Sequence, residues 1–184
     1  MAGLDLSRVM AKIDAIGEGF GDKEAQIGFF PAAQYEDGTP VAYVAAIQEL
    51  GSPKNGIPPR PFMKPTVEDK QKDWSNELGE YAKGVIAGRL TVDGMFDFIG
   101  AAAAGDIAKT IAEGDFKPLS KITLMLRKMR DEHKGDADWH MSGAKVGEAA
   151  RRVAAGEAGS DRTAPLDDTG LLIASLSHIV ADKS

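Results

Sequence analysis

Residues 41 to 66 read VAYVAAIQELGSPKNGIPPRPFMKPT, and the rest of the chain is organised around them. Val41, Val44, Ala45 and Ile47 recur at the spacing of one helical face, which predicts a helix over 41–50. Gly51 suits the left-handed position just past its end. Four prolines follow between Ser52 and Met63: Pro53, Pro58, Pro59 and Pro61. Proline fixes φ, lacks an N–H and pushes the residue before it into extended backbone, so 52–63 reads as a Pro-rich extended loop or arm. Pro65 then fits the first position of a long helix. The arm carries Ile57, Arg60, Phe62 and Met63, and two fates are open to it. It can fold back on its own core or lie across a neighbouring subunit. Arg60, on a stiff backbone, suits either a tie that holds the loop or a contact with a partner.

Upstream, Leu6, Val9, Met10, Ile13 and Ile16 predict an amphipathic helix, with Gly17, Gly19 and Gly21 as its stop. Residues 25–30 alternate Ile27 and Phe29 against Gln26 and Gly28, as a short half-buried strand does. Downstream, Val67, Trp74, Leu78, Tyr81 and Val85 form a near-heptad seam that needs a partner helix along its length. A second helix follows, capped by Thr91, with Val92, Met95, Phe96, Ile99, Ala103, Ile107 and Ile111 on one face. Its AAAAG run permits a close crossing. A third helix begins after Pro118, capped by Ser120, with Ile122, Met125, Leu126 and Met129 apolar. Residues 135–163 are rich in Gly, Ala and charge, with helical character only over 145–155, and read as a mobile insertion. Pro165-Leu166-Asp167-Asp168-Thr169-Gly170 reads as a local turn, with Asp168 as a cap and Gly170 at positive φ. A strand over 175–180 closes the chain. The expected class is α+β: one domain over 1–184, with a small mixed or antiparallel sheet of distant segments packed against long helices.

Composition narrows the functional classes. The 184 residues carry 22 Lys and Arg against 28 Asp and Glu, a net charge of -6, and a pI near 5.1, unlike the basic footprint of a general phosphate-backbone binder. There is no cysteine, which excludes disulfides, thiolate metal sites and cysteine catalysis. No apolar run is long enough to span a membrane, and MAGLDLSRVM lacks the pattern of a secretory leader. The expectation is a protein of the cytoplasm with no membrane partner. The 27 Ala and 21 Gly make a core that is thin for the length, as in a chain stabilised by neighbouring subunits.

Motifs for chemistry are missing. The sequence holds no P-loop, HExxH, GxSxG or EF-hand loop. GEGFGD follows a helix and does not match a dinucleotide fingerprint. His133, Asp136, Asp138 and His140 could be drawn as a divalent-metal cluster, but their spacing fits no compact ligand set. Asp167 and Asp168 fit a helix start better than an acid/base pair. His178 is read as a polar strand residue. The expectation is no catalytic, metal-binding or cofactor-binding residues, and no cofactor.

Three stretches carry a family resemblance. Residues 41–66, with their helix ending in ELG and their IPPRPF segment, resemble the tail-completion and head–tail joining (neck) proteins of tailed bacteriophages, which are similar to minor tail protein Z and virion-morphogenesis proteins. GDFKPLSKIT, residues 114–123, resembles a second segment of that family. Pro165 and Leu166, followed by DDTGLLIASLSHIV to Val180, resemble its closing segment, and the three keep the family order. The 35 residues from Arg130 to Ala164 depart from it, since the last two segments usually lie closer together. The resemblance implies a virion protein, assembled in the bacterial cytoplasm into a ring, usually sixfold. That ring would complete the tail and join it to the capsid connector. Its partners would be other copies of itself, connector or head-completion proteins, and tail-tube or terminator proteins. Genome DNA would pass through an acidic lumen without specific binding. On this view Ile57, Arg60, Phe62 and Met63 form the subunit or partner interface, and Arg60→Ala or Phe62→Ala leaves a folded subunit that cannot join. Gly51, Asp168 and Gly170 shape turns. A tail-terminator ring of the same fold and a small adaptor binding a host protein are the alternatives.

Overall fold

The computed structural model describes residues 6–136, 138–166 and 170–183. In chain order it runs α1 (Leu6–Asp22), β1 (Lys23–Phe29), α2 (Val41–Leu50), a short 3-10 turn (Pro53–Asn55), α3 (Met63–Ile86), α4 (Val92–Glu113), α5 (Lys121–Glu132), α6 (Gly143–Ala154), α7 (Leu171–Ala174) and β2 (Leu176–Asp182). The architecture is α+β. The first and last strands pair antiparallel from Lys23 against Asp182 to Phe29 against Leu176, so the sheet joins the two ends of the chain.

One face of this ribbon lies on α4, where small residues set the distance. Gly100 is buried, and a Cβ there would fall 2.6 Å from the ring of His178. Behind α4 runs α3, antiparallel to it. Trp74 Nε1 donates to Asp106 Oδ2 at 2.8 Å, Thr66 and Thr110 hydroxyls lie 2.6 Å apart, and the Tyr81 and Phe98 rings meet at 5.7 Å. The seam expected on α3 is therefore real, although Val67 at its start is exposed. Thr91 caps α4, its hydroxyl accepting from Gly94 N–H at 3.0 Å, and Ser120 caps α5 by accepting from Thr123 N–H at 3.1 Å.

The main core is one apolar cluster of Val41, Ala45, Phe62, Ile107, Ile111, Leu166 and Leu172, joined by Ile27, Phe29 and Leu176 from the sheet. Helices α2, α4 and α7, both strands and the loops at Phe62 and Leu166 all contribute to it.

Two expectations change. The glycines at 17, 19 and 21 do not stop α1, which runs directly into β1. Gly19 instead permits a close approach, since a Cβ there would lie 3.1 Å from Val92 Cγ2. Residues 135–163, expected as a poorly packed insertion, contain α6, which packs on α5 around buried Met125, Met129 and Ala149. The turnaround after α6 is tight: Ser160 N–H donates to Leu124 O at 2.9 Å, and a Cβ at Gly159 would fall 2.8 Å from the Leu124 backbone. Leu126, Trp139 and Val153 complete this second cluster. The apolar stripe of Met125, Leu126 and Met129 on α5 was read from spacing, but that Ala149 and Val153 of α6 pack against it is a tertiary contact that spacing does not give.

Candidate functional site: the proline loop and its anchor

The loop expected to be an arm is built as a closed knot. Gly51 N–H still bonds Ile47 O at 2.8 Å, and then the backbone turns at φ 75° and ψ 173°. That is not the left-handed helical cap expected, but a region open essentially to glycine. A Cβ at Gly51 would also fall 2.8 Å from Pro59 N and 3.0 Å from Ile57 O. Ser52 and Ile57 exchange backbone bonds at 2.8 and 3.0 Å, closing the turn around Gly56 at φ 67°, and Asn55 Nδ2 donates to Ser52 Oγ at 2.9 Å.

Arg60 is the root of the knot. Only 4% of it is exposed. Its backbone N–H donates to Gln48 O at 2.7 Å. Its guanidinium donates to Lys117 O at 2.9 Å, Gln48 Oε1 at 3.1 Å and, more weakly, Pro118 O at 3.5 Å. Burial pushes its pKa below the usual arginine value. The charge is held by carbonyl dipoles, with Arg60 spanning α2, the loop and the Lys117–Pro118 segment.

Beside it, Glu49 closes the start of α3. Its carboxylate accepts from the N–H groups of Phe62 at 2.7 Å, Met63 at 2.9 Å and Lys64 at 3.0 Å. The fourth orphan position of that helix is Pro65, which has no N–H to satisfy. One side chain from α2, brought in over thirteen residues, thus replaces a local cap and also places a negative charge at the positive end of the helix dipole. Pro65 is the third helical residue, two places later than expected, because Glu49 starts the helix at Met63.

Phe62 has no exposed surface and meets Phe29 edge-on at 6.1 Å. Arg60 and Phe62 are therefore placed inside their own subunit and offer no surface to a partner in this conformation. Ile57 and Met63 are half-buried, and Met63 packs on the main core. The exposed rim around the knot consists of Pro53, Lys54, Pro59 and Pro61, with Leu50 75% exposed and Tyr43 on the same face of α2. The spacing of Tyr43 and Leu50, seven residues apart, was the available signal for that rim.

Gly170 stands at φ 71° as expected. Asp167 and Asp168 lie outside the described residues. Sequence reasoning missed Glu49, and it also missed Arg127, which is 7% exposed. Arg127 donates from Nη1 to Arg162 O at 2.7 Å and Ala164 O at 3.1 Å, tying the segment before Leu166 to α5.

The residues considered for metal do not converge. His133 Nδ1 lies 2.7 Å from Met129 O with its ring stacked on Trp139, and His140 Nδ1 lies 2.9 Å from Asp138 O. Among the described residues no three His, Asp or Glu side chains are grouped to hold an ion. His178 Nε2 lies 2.9 Å from Asp97 Oδ1, linking β2 to α4. Among the described residues no helix is long and apolar enough to cross a membrane. The geometry describes a rigid, proline-stiffened edge on a buried polar root, suited to presenting a surface. In comparisons with protein families, curated proteins and solved structures, nothing matches this chain.

Proposed function

We propose that this chain is a structural protein of a tailed-bacteriophage neck, a subunit of the ring that completes the tail and joins it to the capsid connector. It works by forming interfaces and carries out no reaction. The observation that supports the reading is the convergence of the three resembling segments. Arg60 of IPPRPF bonds the carbonyls of Lys117 and Pro118 in the KPLS segment, and Phe62 shares one core with Leu166 and Leu172 of the closing segment. Segments more than a hundred residues apart thus act as one signature of architecture. With Arg60 and Phe62 occupied inside the subunit, the rim of Leu50, Pro53, Pro59 and Pro61 is the part of this loop that would face a neighbouring ring. A loop held in place at its root loses little further entropy on docking.

The test is electron microscopy of a lysate from the parent phage with the gene stopped at Gln48. The expected result is DNA-filled heads beside separate tails of normal length. Tails of uncontrolled length would assign the terminator ring instead. Intact infectious particles would overturn the neck reading in favour of an adaptor that binds a host protein.

A further inference from the structure

The chain has two asparagines, Asn55 and Asn76, in opposite chemical settings. Asn76 lies within α3 and is followed by Glu77. Asn55 is followed by Gly56 at the tip of the proline knot, where Pro53, Lys54, Asn55 and Gly56 are all exposed. Gly56 stands at φ 67° and ψ 20°, the left-handed conformation that other residues resist. The glycine that the turn requires leaves Asn55 beside a main-chain nitrogen with no side chain to shield it. Apart from its chain neighbours, no atom of the described residues lies within 4 Å of where a Cβ on Gly56 would stand.

A side-chain amide next to such a nitrogen can acylate it. The Gly56 nitrogen attacks Asn55 Cγ and gives its proton to a solvent base. The Cγ–Nδ2 bond breaks, and ammonia leaves with a proton taken from water. The product is a five-membered succinimide. Water then opens it at the side-chain carbonyl to give aspartate, or at the main-chain carbonyl to give isoaspartate. One water is consumed and one ammonia released, with no change of oxidation state.

The knot holds both reacting groups back. Gly56 N–H donates to Pro53 O at 3.1 Å, and Asn55 Nδ2 donates to Ser52 Oγ at 2.9 Å. Ring closure brings Cγ alongside the Gly56 nitrogen, which needs a ψ at Asn55 far from the helical value of its 3-10 turn. Both bonds must therefore break first. The paired Ser52 and Ile57 backbones keep the turn shut on either side.

We propose that Asn55 and Gly56 form a self-modification site, a succinimide-forming pair latched by Ser52 and released when the tip of the knot opens. Conversion places a carboxylate beside Lys54 and removes the amide that donates to Ser52 Oγ, so the charge of the rim changes. The isoaspartate branch also adds a methylene to the main chain between Ser52 and Ile57, which puts their bridge out of register. The bonds of Arg60 and Glu49 involve neither residue, so the change stays at the exposed edge of the loop. The site exists whatever the loop docks against.

The test holds the folded full chain, and the same chain unfolded in urea, in mildly alkaline buffer. Peptide mapping by mass spectrometry reads acid at 55 and 76, and isoaspartyl methyltransferase labelling reads isoaspartate. The expected result is acid at 55, none at 76 over the same period, and a faster reaction in the unfolded chain. Ser52→Ala should speed conversion of the folded chain about fivefold, the restraint of one hydrogen bond. Ser52→Thr, which keeps the hydroxyl, should not. Gly56→Ala should slow conversion in the unfolded chain, where its backbone strain has no bearing. Equal rates in the folded and unfolded chains would overturn the latch. Equal rates in Ser52→Ala and Ser52→Thr would overturn Ser52 as its holder. No acid at 55 in the unfolded chain would overturn the site itself.

Discussion

Arg60 and Arg127 each bury a guanidinium among the backbone carbonyls of a segment arriving from elsewhere in the chain. Their surroundings differ. Arg60 adjoins the main apolar core, and its neighbour Glu49 commits its charge to the start of α3. Arg127 belongs to the α5–α6 hairpin, whose small Met and Ala core is supplemented by ions. There Arg152 bonds Glu132 at 2.9 Å and Glu157 at 2.7 Å, Lys128 bonds Glu157 at 2.9 Å, and Arg162 pairs with Asp131. The same device is thus used once on an apolar foundation and once on a partly exposed, salt-sensitive one. One region should fail when volume or buried polarity is removed, the other when charge is neutralised.

The largest effect should come from Phe62→Ala. A fully buried aromatic lost from the main core costs about 3–5 kcal/mol, read as a fall in the urea midpoint. An unchanged midpoint would mean that the two regions do not differ in the way described. Arg60→Ala should follow at about 3 kcal/mol, because Lys117 O and Gln48 Oε1 lose a charged donor inside the protein. Both variants should act on folding before they act on any partner, which reverses the expectation drawn from the sequence. Arg127→Ala tests whether the second anchor is equal to the first, and a loss as large as that of Arg60→Ala would erase the contrast.

Backbone variants sharpen it further. Gly51→Ala should cost about 2 kcal/mol, since it forces a side chain into an unfavourable φ and against Pro59 and Ile57. At Gly170 no atom of the described residues lies within 4 Å of an added Cβ, so for Gly170→Ala the positive φ is the resistance, at about 1 kcal/mol. Equal losses would show that crowding in the knot is unimportant.

The smallest effect is electrostatic. Arg152 and Lys128 lower the Glu157 carboxyl from the ordinary 4.5 to about 2, and Arg152 also lowers Glu132. A lowered carboxylate pKa adds stability that is complete above the unfolded value and lost as pH falls through the folded one. The hairpin should therefore loosen between about pH 5 and pH 2, and earlier in high salt, read by hydrogen exchange in α5 and α6. Protection there that falls together with the α3–α4 pair would mean a single cooperative unit.

Much of the fold was legible because it rests on local rules. The helix over 41–50, the Thr91 and Ser120 caps, the apolar face of α4 and both strands follow from spacing and hydrogen-bonding chemistry that neighbours in sequence share. The α5–α6 packing was not legible, since spacing marks an apolar face but not its partner, and the ion pairs of Arg152 with Glu132 and Lys128 with Glu157 join residues twenty or more apart. At the site, the sequence left Arg60 as either a tie for the loop or a contact with a partner, because its bonds go to main-chain carbonyls at 117 and 118, which any residue supplies.

By itself the sequence determined the class, the element order and the stiffness of the loop, because proline, glycine and helical spacing act over a few residues. Only the tertiary structure decided which way that loop faces. Turning Arg60 and Phe62 inward depends on Glu49 reaching the start of α3 and on the Lys117–Pro118 segment returning beneath the loop. Those contacts exist only once α2, α3 and α4 have packed around a common core.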